Sequence, residues 1–274
     1  MSVFKRLFAN NLTGTPFYML SEKSPYSVHA VESALELLET LTEEHTAPTL
    51  PYLAETMGLS RNKMFRLLAT LEEKGLVEKE ESSGCYRLGL PAAELAQKIL
   101  KSLNLIQIAH PIMETLARKH NEAVYMTVLS GDEVLFLDMV DSGQQIKAAS
   151  LVGERFPFFT NAAGKAIRAL ESRDILERVF RKRPRRQTSV DVKLLEEELN
   201  QIRNRGVAVD AGGLGDGVIA VAVAVRDYAG KVVGALTMLG PSFRMLTERL
   251  ETEIIPSLME GADILSFKFG YAKI

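Results

Sequence analysis

Apolar residues recur at helical spacing in three consecutive stretches near the start of the chain. Ser27 is placed to cap a first helix, and Val31, Ala34, Leu35, Leu38 and Leu41 line one face of it. His45 to Pro48 breaks that pattern. Thr49 then stands as the cap of a short second helix. Pro51 lies in its first turn, where a missing N–H costs little, and Leu50, Leu53, Ala54 and Met57 form its apolar face. Gly58 closes that helix in a tight turn. Ser60 caps a third helix with Met64, Leu67, Leu68 and Leu71 inward, and Gly75 ends it. A short helix, a glycine turn and a second helix make the helix-turn-helix pattern. Leu76-Val77 and Cys85 to Leu88, around Ser82-Ser83-Gly84, add a small hairpin in the position of a wing.

Beyond the wing the periodicity alternates between helix and strand. Ala92 to Ile108 predicts an amphipathic linking helix carrying Leu95, Ile99, Leu103 and Ile106, and His110 to His120 a helix with Ile112, Leu116 and Ala117 inward. Val124 to Leu129 and Val134 to Val140 form a hairpin around Ser130-Gly131-Asp132, with Ile146 to Val152 as a third strand. Ala162 to Glu171 is helical, and Asp174 to Phe180 continues as helix into a basic loop. Val192 to Arg205 is a helix with Leu195, Leu199 and Ile202 on one face, stopped by Gly206. Val218 to Val225 and Lys231 to Leu239 pair as a second hairpin, and Leu246 to Phe267 is a closing helix. The architecture predicted is α+β. It comprises an N-terminal arm over 1–25, a winged helix-turn-helix over 26–90, a linker helix over 91–107 and a larger domain over 108–274.

Composition narrows the function classes. The chain has 274 residues, 46% hydrophobic and 25% charged, the balance of an ordinary soluble protein, and no apolar run has the ~20 residues of a membrane span. Lys5 and Arg6 have no apolar run behind them, so a secretory leader is not expected and the cytoplasm is the default location. One cysteine and four scattered histidines exclude a disulfide framework and leave no metal-site spacing. The formal net charge of −2 means that any nucleic-acid contact has to rest on local charge.

That local charge lies on the third helix. Opposite its apolar face stand Arg61, Asn62, Lys63, Phe65 and Arg66, directly after Ser60. Cations at the N-terminal end of the second helix of such a motif suit phosphate contact and guanine readout, an amide suits adenine, and an aromatic ring suits a thymine methyl. Arg87 on the wing is a further candidate contact. The plainer reading, solvated surface charge, is outweighed by the combination of helix lengths, turn and wing.

Motifs of catalysis and cofactor binding fall short. Gly164-Lys165 is followed by Ala166 and has Phe159 where a phosphate-binding loop needs glycine. Gly213-Leu214-Gly215-Asp216-Gly217 leads into a β-run instead of a helix, so it is no dinucleotide fingerprint. No nucleophile–base pair is evident, so no catalytic residue, cofactor or metal is predicted. The dense basic run Arg181, Lys182, Arg183, Arg185 and Arg186 reads first as a solvated loop, with DNA phosphate, an acidic partner or a subunit interface as alternatives.

From Tyr26 onward the chain resembles the IclR family of transcription regulators. The resemblance runs through Ala30-Val31-Glu32-Ser33-Ala34 to Leu38, Gly58 to Leu71, and Tyr86-Arg87-Leu88-Gly89. It continues through Gly153 with Pro157, Asn161 to Ala166, Gly206 to Asp210, and Gly240-Pro241. It implies a GAF-like sensory domain, an antiparallel sheet flanked by helices. It also implies dimers that pair into tetramers on double-stranded operator DNA, and a small organic effector, commonly a carboxylic or aromatic acid. Carried over by position, the effector site comprises Ile146, Ala148, Ala162, Ala163, Asp210, Val218, Ala220, Thr237 and Leu239. The N–H groups around Ala163 and Gly164, at a helix start, are suited to a carboxylate.

Several positions depart from the family pattern. Ala220 stands where a cysteine is usual and Ala224 where a proline is. Ala211-Gly212-Gly213 stands where an acidic residue is usual shortly after Asp210, and Thr237 and Leu239 replace two serines. The expectation is a more apolar effector, or a regulator that has lost tight effector binding. An enzyme acting on small acids is the rival from another class.

Overall fold

In a computed structural model the described residues are 27–43, 48–102, 104–171 and 191–272. The expected arm, the helix at Asp174 to Phe180 and the basic run lie outside them. The chain divides into two compact units at Ile99/Leu100.

The first unit contains helices α1 (His29–Glu43), α2 (Leu50–Thr56) and α3 (Arg61–Glu73), then a two-stranded hairpin of β1 (Val77–Lys79) and β2 (Tyr86–Leu88). Helix α4 (Leu90–Ser102) follows. Leu37, Leu41, Leu53, Met64, Leu68, Leu71, Val77 and Tyr86 form a single buried cluster. Gly58, at φ 63°, makes the turn between α2 and α3, a conformation that carries no penalty without a Cβ. Ser60 caps α3 by accepting from Lys63 N–H at 3.3 Å. Two expected caps differ. Thr49 occupies the N-cap of α2 without a side-chain bond, and Ser27 donates to the Glu32 carboxylate instead of capping the backbone.

The face of α1 also differs from expectation. Leu38 and Leu41 pack into the core as expected, but Leu37 joins them, whereas Val31 and Leu35 are 56% and 57% exposed. Helix α1 carries apolar residues around more than one side, so periodicity alone does not choose the buried stripe.

The second unit is an antiparallel sheet of six strands in the order β5-β4-β3-β8-β7-β6. These are β3 (Ala123–Ser130), β4 (Glu133–Val140), β5 (Arg155–Pro157), β6 (Ala208–Ala211), β7 (Val218–Arg226) and β8 (Val232–Pro241). The expected strand over Ile146 to Val152 is not one: that segment is irregular, and the edge strand β5 comes after it. The expected linking helix ends earlier than predicted, at Ser102, and α5 (Asn104–His120) takes up the rest together with His110 to His120.

Both faces of the sheet are covered. On one, α5 and α8 (Ile255–Lys268) bury Met113, Leu116, Leu258 and Leu265 against Val124, Met126, Val221, Val223, Leu236 and Met238. A helical turn (Thr247–Arg249) and a π-helical segment (Leu250–Ile254) precede α8. On the other face, α6 (Ala162–Ala169) and α7 (Val192–Arg205) pack on Ala123, Tyr125, Phe136, Ala208, Ala220, Ala222 and Leu239. Alternation along the strands makes the two faces, because successive side chains point to opposite sides, with register shifts in the β3–β4 pair at Met126/Thr127 and in the β7–β8 pair at Val225/Arg226.

Glu122, 1% exposed, joins the elements at one end of the sheet. It accepts from Arg244 Nε at 2.7 Å and Nη2 at 2.8 Å, and from Arg249 Nη1 at 3.1 Å. Arg249 also donates to the His120 carbonyl at the end of α5, and Arg244 to the Ile146 carbonyl. The His120 imidazole is buried beside this cluster and its Nε2 has no partner among the described residues. Burial, then the Lys119 and Arg249 cations, hold its pKa below the ordinary 6.5, outweighing Glu253 and Glu122. The folded state therefore binds that proton more weakly than the unfolded chain, and stability falls as pH drops below about 6.5. Thermal melts between about pH 7.5 and 5.5 will show the decline, and His120→Gln will flatten it; an equal slope in both proteins contradicts this assignment.

Candidate functional site

On α3 the residues predicted to meet DNA divide into two groups. Ser60, Arg61, Asn62, Phe65 and Arg66 are exposed, with Phe65 at 59% despite its apolar ring. Lys63 is only half-exposed, and its Nζ donates to Ser33 Oγ at 3.1 Å, tying α3 back to α1. On the wing, Arg87 lies against Glu78 through Nε at 3.2 Å and Nη2 at 3.0 Å. The first pairing joins residues thirty apart in the chain, and the second depends on the exact register of the hairpin. The exposed group occupies the start of a helix held by a buried core, with the hairpin after it.

In the second unit the residues predicted for the effector gather on the α6-covered face. Cross-strand register sets Asp210 beside Ala220, Ala220 beside Leu239 and Leu239 beside Ala123. In the adjoining row Ala222 pairs with Thr237, Thr237 with Tyr125 and Tyr125 with Met139. Val218 packs at the rim of the same cluster, and Ala162 and Ala163 of α6 lie over it, fully buried. Two predicted residues stand apart: Ile146 is exposed at 66% and Ala148 is half-buried, both in the irregular segment before β5.

Helix α6 is seated by its sequence. Asn161 caps it, accepting from Gly164 N–H at 2.9 Å, so that amide is already engaged. The amides of Ala162 and Ala163 precede the first intrahelical bond. Gly164 lies so close to the preceding 3₁₀ turn that an added Cβ would meet the Phe158 carbonyl oxygen at 2.3 Å. Lys165, 8% exposed, extends its ammonium between Glu198 of α7 at 2.9 Å and Asp210 of β6 at 3.2 Å. Burial works against that charge, but the Glu198 and Asp210 carboxylates outweigh it and hold the pKa above its ordinary value. Asp210 also accepts from Gly213 N–H at 2.9 Å. Arg168 ties the other end of α6 to the β3–β4 turn, donating to Gly131 O at 2.7 Å and Asp132 at 3.1 Å while lying over the Phe158 ring.

Sequence reasoning missed Tyr125, Thr127 and the aromatic set beside them. Tyr125, Phe136 and Phe156 form an edge-to-face chain, with centroids 5.3 Å and then 5.7 Å apart. Thr127 donates to the Ala235 carbonyl at 3.0 Å and lies 3.3 Å from the Thr237 hydroxyl. The signal available was the alternation along Ala123 to Ser130, which puts Tyr125 and Thr127 on one face.

The two units define a class: a DNA-binding transcription regulator with an N-terminal helix-turn-helix and a C-terminal antiparallel-sheet domain. Comparison with known proteins carries this further. The profile described as "IclR helix-turn-helix domain" matches residues 30–81, and that described as "Bacterial transcriptional regulator IclR C-terminal" matches 97–267. The chain belongs to the IclR family. It is 30% identical over 254 residues to the HTH-type transcriptional regulator KdgR of Escherichia coli (strain K12), covering 91% of this chain and 96% of that one. The solved IclR regulator from Alicyclobacillus acidocaldarius is 26% identical, with a TM-score of 0.78, over 90% of this chain and 100% of that one. An IclR homologue from Microbacterium hydrocarbonoxydans, solved with 4-hydroxybenzoate, is 24% identical with a TM-score of 0.75, over 88% of this chain and 98% of that one. The relatives are transcription regulators, and the chain is not an enzyme. Among the described residues no helix is long and apolar enough to cross a membrane.

Two substitutions test the seat of α6. Gly164→Ala will destabilise the second unit by about 1–3 kcal/mol, because its Cβ meets backbone that cannot step aside. Asp210→Asn will cost about 1–3 kcal/mol by leaving the Lys165 ammonium short of a carboxylate. Urea unfolding measures both, and an unchanged midpoint in either contradicts the account of that contact.

Proposed function

We propose that this regulator binds operator DNA through α3 and the wing, and that an organic acid bound between α6 and the sheet changes that binding. On DNA, Arg61, Asn62 and Arg66 read base edges, Phe65 meets a thymine methyl, and Ser60 positions the helix start. Lys63 and Arg87 reach phosphate only by releasing Ser33 and Glu78, so their share is smaller.

In the second unit the acid's carboxylate is received by the amides of Ala162 and Ala163 at the positive end of α6. Its body lies against Ala220, Leu239 and Val218, with Ile146 and Ala148 closing from the irregular segment. The observation that carries this reading is the register that sets Asp210, Ala220, Leu239 and Thr237 in adjoining rows beneath the start of α6. The apolar lining favours an aromatic or acyl acid over a small oxo-acid. The 4-hydroxybenzoate held by the Microbacterium homologue supports an acid of that kind.

Regulation needs two copies of the chain, since paired half-sites are read by paired recognition helices. The exposed apolar residues Val31, Leu35, Leu95 and Ile99 of the first unit are suited to that pairing. The acid acts by population shift, favouring one arrangement of the dimer or tetramer by about 1.4 kcal/mol for each tenfold change in DNA affinity.

A second reading, a regulator that no longer senses, draws on Asp210 and the Gly164 amide, both engaged internally. A thermal-shift screen against carboxylic, aromatic and acyl-chain acids separates the two. A ligand at 100 times its Kd adds roughly 2.7 kcal/mol of stability. A hit abolished by Ala163→Asp, with DNA binding retained, supports sensing; silence across the panel with intact DNA binding supports the second reading. On the DNA side, Arg66→Ala will weaken specific binding by about 1–3 kcal/mol, measured by fluorescence anisotropy on a DNA sequence selected by the chain itself. Unchanged affinity removes Arg66 from the interface.

A further inference from the structure

Tyr125 is completely buried in the cluster that also holds Ala162 and Ala163 of α6, yet its hydroxyl proton has no acceptor among the described residues. A buried hydroxyl left unmade costs stability, and folded proteins rarely leave one without a use. A tyrosine here is also unneeded for packing, because phenylalanine would make the same edge-to-face contact with Phe136.

Tyr125 lies on the strand directly beside Thr237, which the sequence had already placed in the effector site. The Thr237 hydroxyl has its own partner in Thr127, whose proton is committed to the Ala235 carbonyl. Among the described residues, the Tyr125 hydroxyl thus keeps a proton unspent amid the buried strand side chains of this face. Burial, reinforced by the Asp141 charge, raises the phenol above its ordinary pKa against the smaller opposing pull of the Leu151 backbone, so it stays protonated and able to donate.

We propose that Tyr125 is a specificity-determining residue of the effector site, and that it hydrogen-bonds a hydroxyl carried by a flat aromatic acid at the end remote from its carboxylate. The proposal rests on the acid-sensing reading above and adds the chemistry of the effector's far end. With the carboxylate at the N-terminus of α6 and the ring against Phe136, the Tyr125 hydroxyl replaces a water partner that the substituent gives up on entry. An acid lacking that substituent leaves the hydroxyl as it stands now, unpaired. Such a site rejects the analogue that lacks the group, because the loss falls on a buried polar atom.

The test uses the full chain with two probes, 4-hydroxybenzoate and benzoate, titrated calorimetrically into the native protein and into Tyr125→Phe. The native protein will bind 4-hydroxybenzoate at least about tenfold more tightly than benzoate, the factor that ~1.4 kcal/mol represents. Tyr125→Phe will bind the two equally, with benzoate affinity unchanged. The unliganded variant will melt at the same temperature as the native protein or above it, since an unsatisfied group has been removed; a merely structural role for the hydroxyl would lower the melting temperature. Equal binding of both acids to the native protein, or discrimination that survives in Tyr125→Phe, overturns the proposal while the acid-sensing reading stands. Binding of neither acid to a protein that still binds DNA overturns the proposal together with its choice of an aromatic effector. A response to acyl acids in the wider panel would then show that sensing itself survives.

Discussion

Lys165 carries its charge into the second unit, and the α6 face of the sheet depends on where that charge has to sit. A buried ammonium is tolerated only when carboxylates surround it, and here Glu198 and Asp210 come from different elements, α7 and β6. The pair therefore acts as a register pin. Helix α6 can take the position that brings Lys165 to both carboxylates and few others. Arg168 repeats the arrangement a turn later against Asp132. With both cations fixed and Gly164 pressed on the Phe158 backbone, the N-terminus of α6 is held over the row Asp210, Ala220, Leu239. The net stabilisation from such ions is small once desolvation is counted, so what they contribute is placement.

The sheet supports this from below. Its α5 face is filled with Val, Leu and Met, whereas the α6 face is rich in alanine: Ala123, Ala208, Ala220 and Ala222 lie under Ala162, Ala163 and Ala166. Small residues on both sides let helix and sheet approach closely. The irregular segment between β4 and β5 is attached to one end of the sheet through the Arg244 bond to the Ile146 carbonyl. Arg244 in turn shares Glu122 with Arg249, which holds the end of α5.

Much of this was legible in the sequence, and the omissions have physical causes. The helix-turn-helix emerged because Met64, Leu68 and Leu71 repeat cleanly and Gly58 and Ser60 mark its turn. The buried face of α1 emerged only at Leu38 and Leu41, since Val31 and Leu35 compete with Leu37 for the inward side and only tertiary packing decides. The segment at Ile146 to Val152 has strand-like composition but no neighbouring edge to pair with, whereas Arg155–Pro157 is too short to signal itself. Most predicted site residues on the sheet were brought together because position along a strand fixes the face. Contacts such as the Lys63 bond to Ser33 and the Lys165 ion pair with Glu198 were hidden because they join residues far apart in sequence, and the Arg87 pair with Glu78 because it needs the exact register of the hairpin. Tyr125 was hidden for a different reason: it sits inside an apolar run, and only its lack of a partner distinguishes it.

The central claim is that a ligand on the α6 face alters DNA binding by the other unit. The most direct measurement is the affinity of the full chain for its selected DNA sequence, by anisotropy, with and without a saturating acid found by thermal shift. The account predicts a change of at least about tenfold, and an equal change in the acid's own affinity when DNA is present, as thermodynamic linkage requires. An acid that binds tightly while leaving the DNA affinity untouched would contradict it.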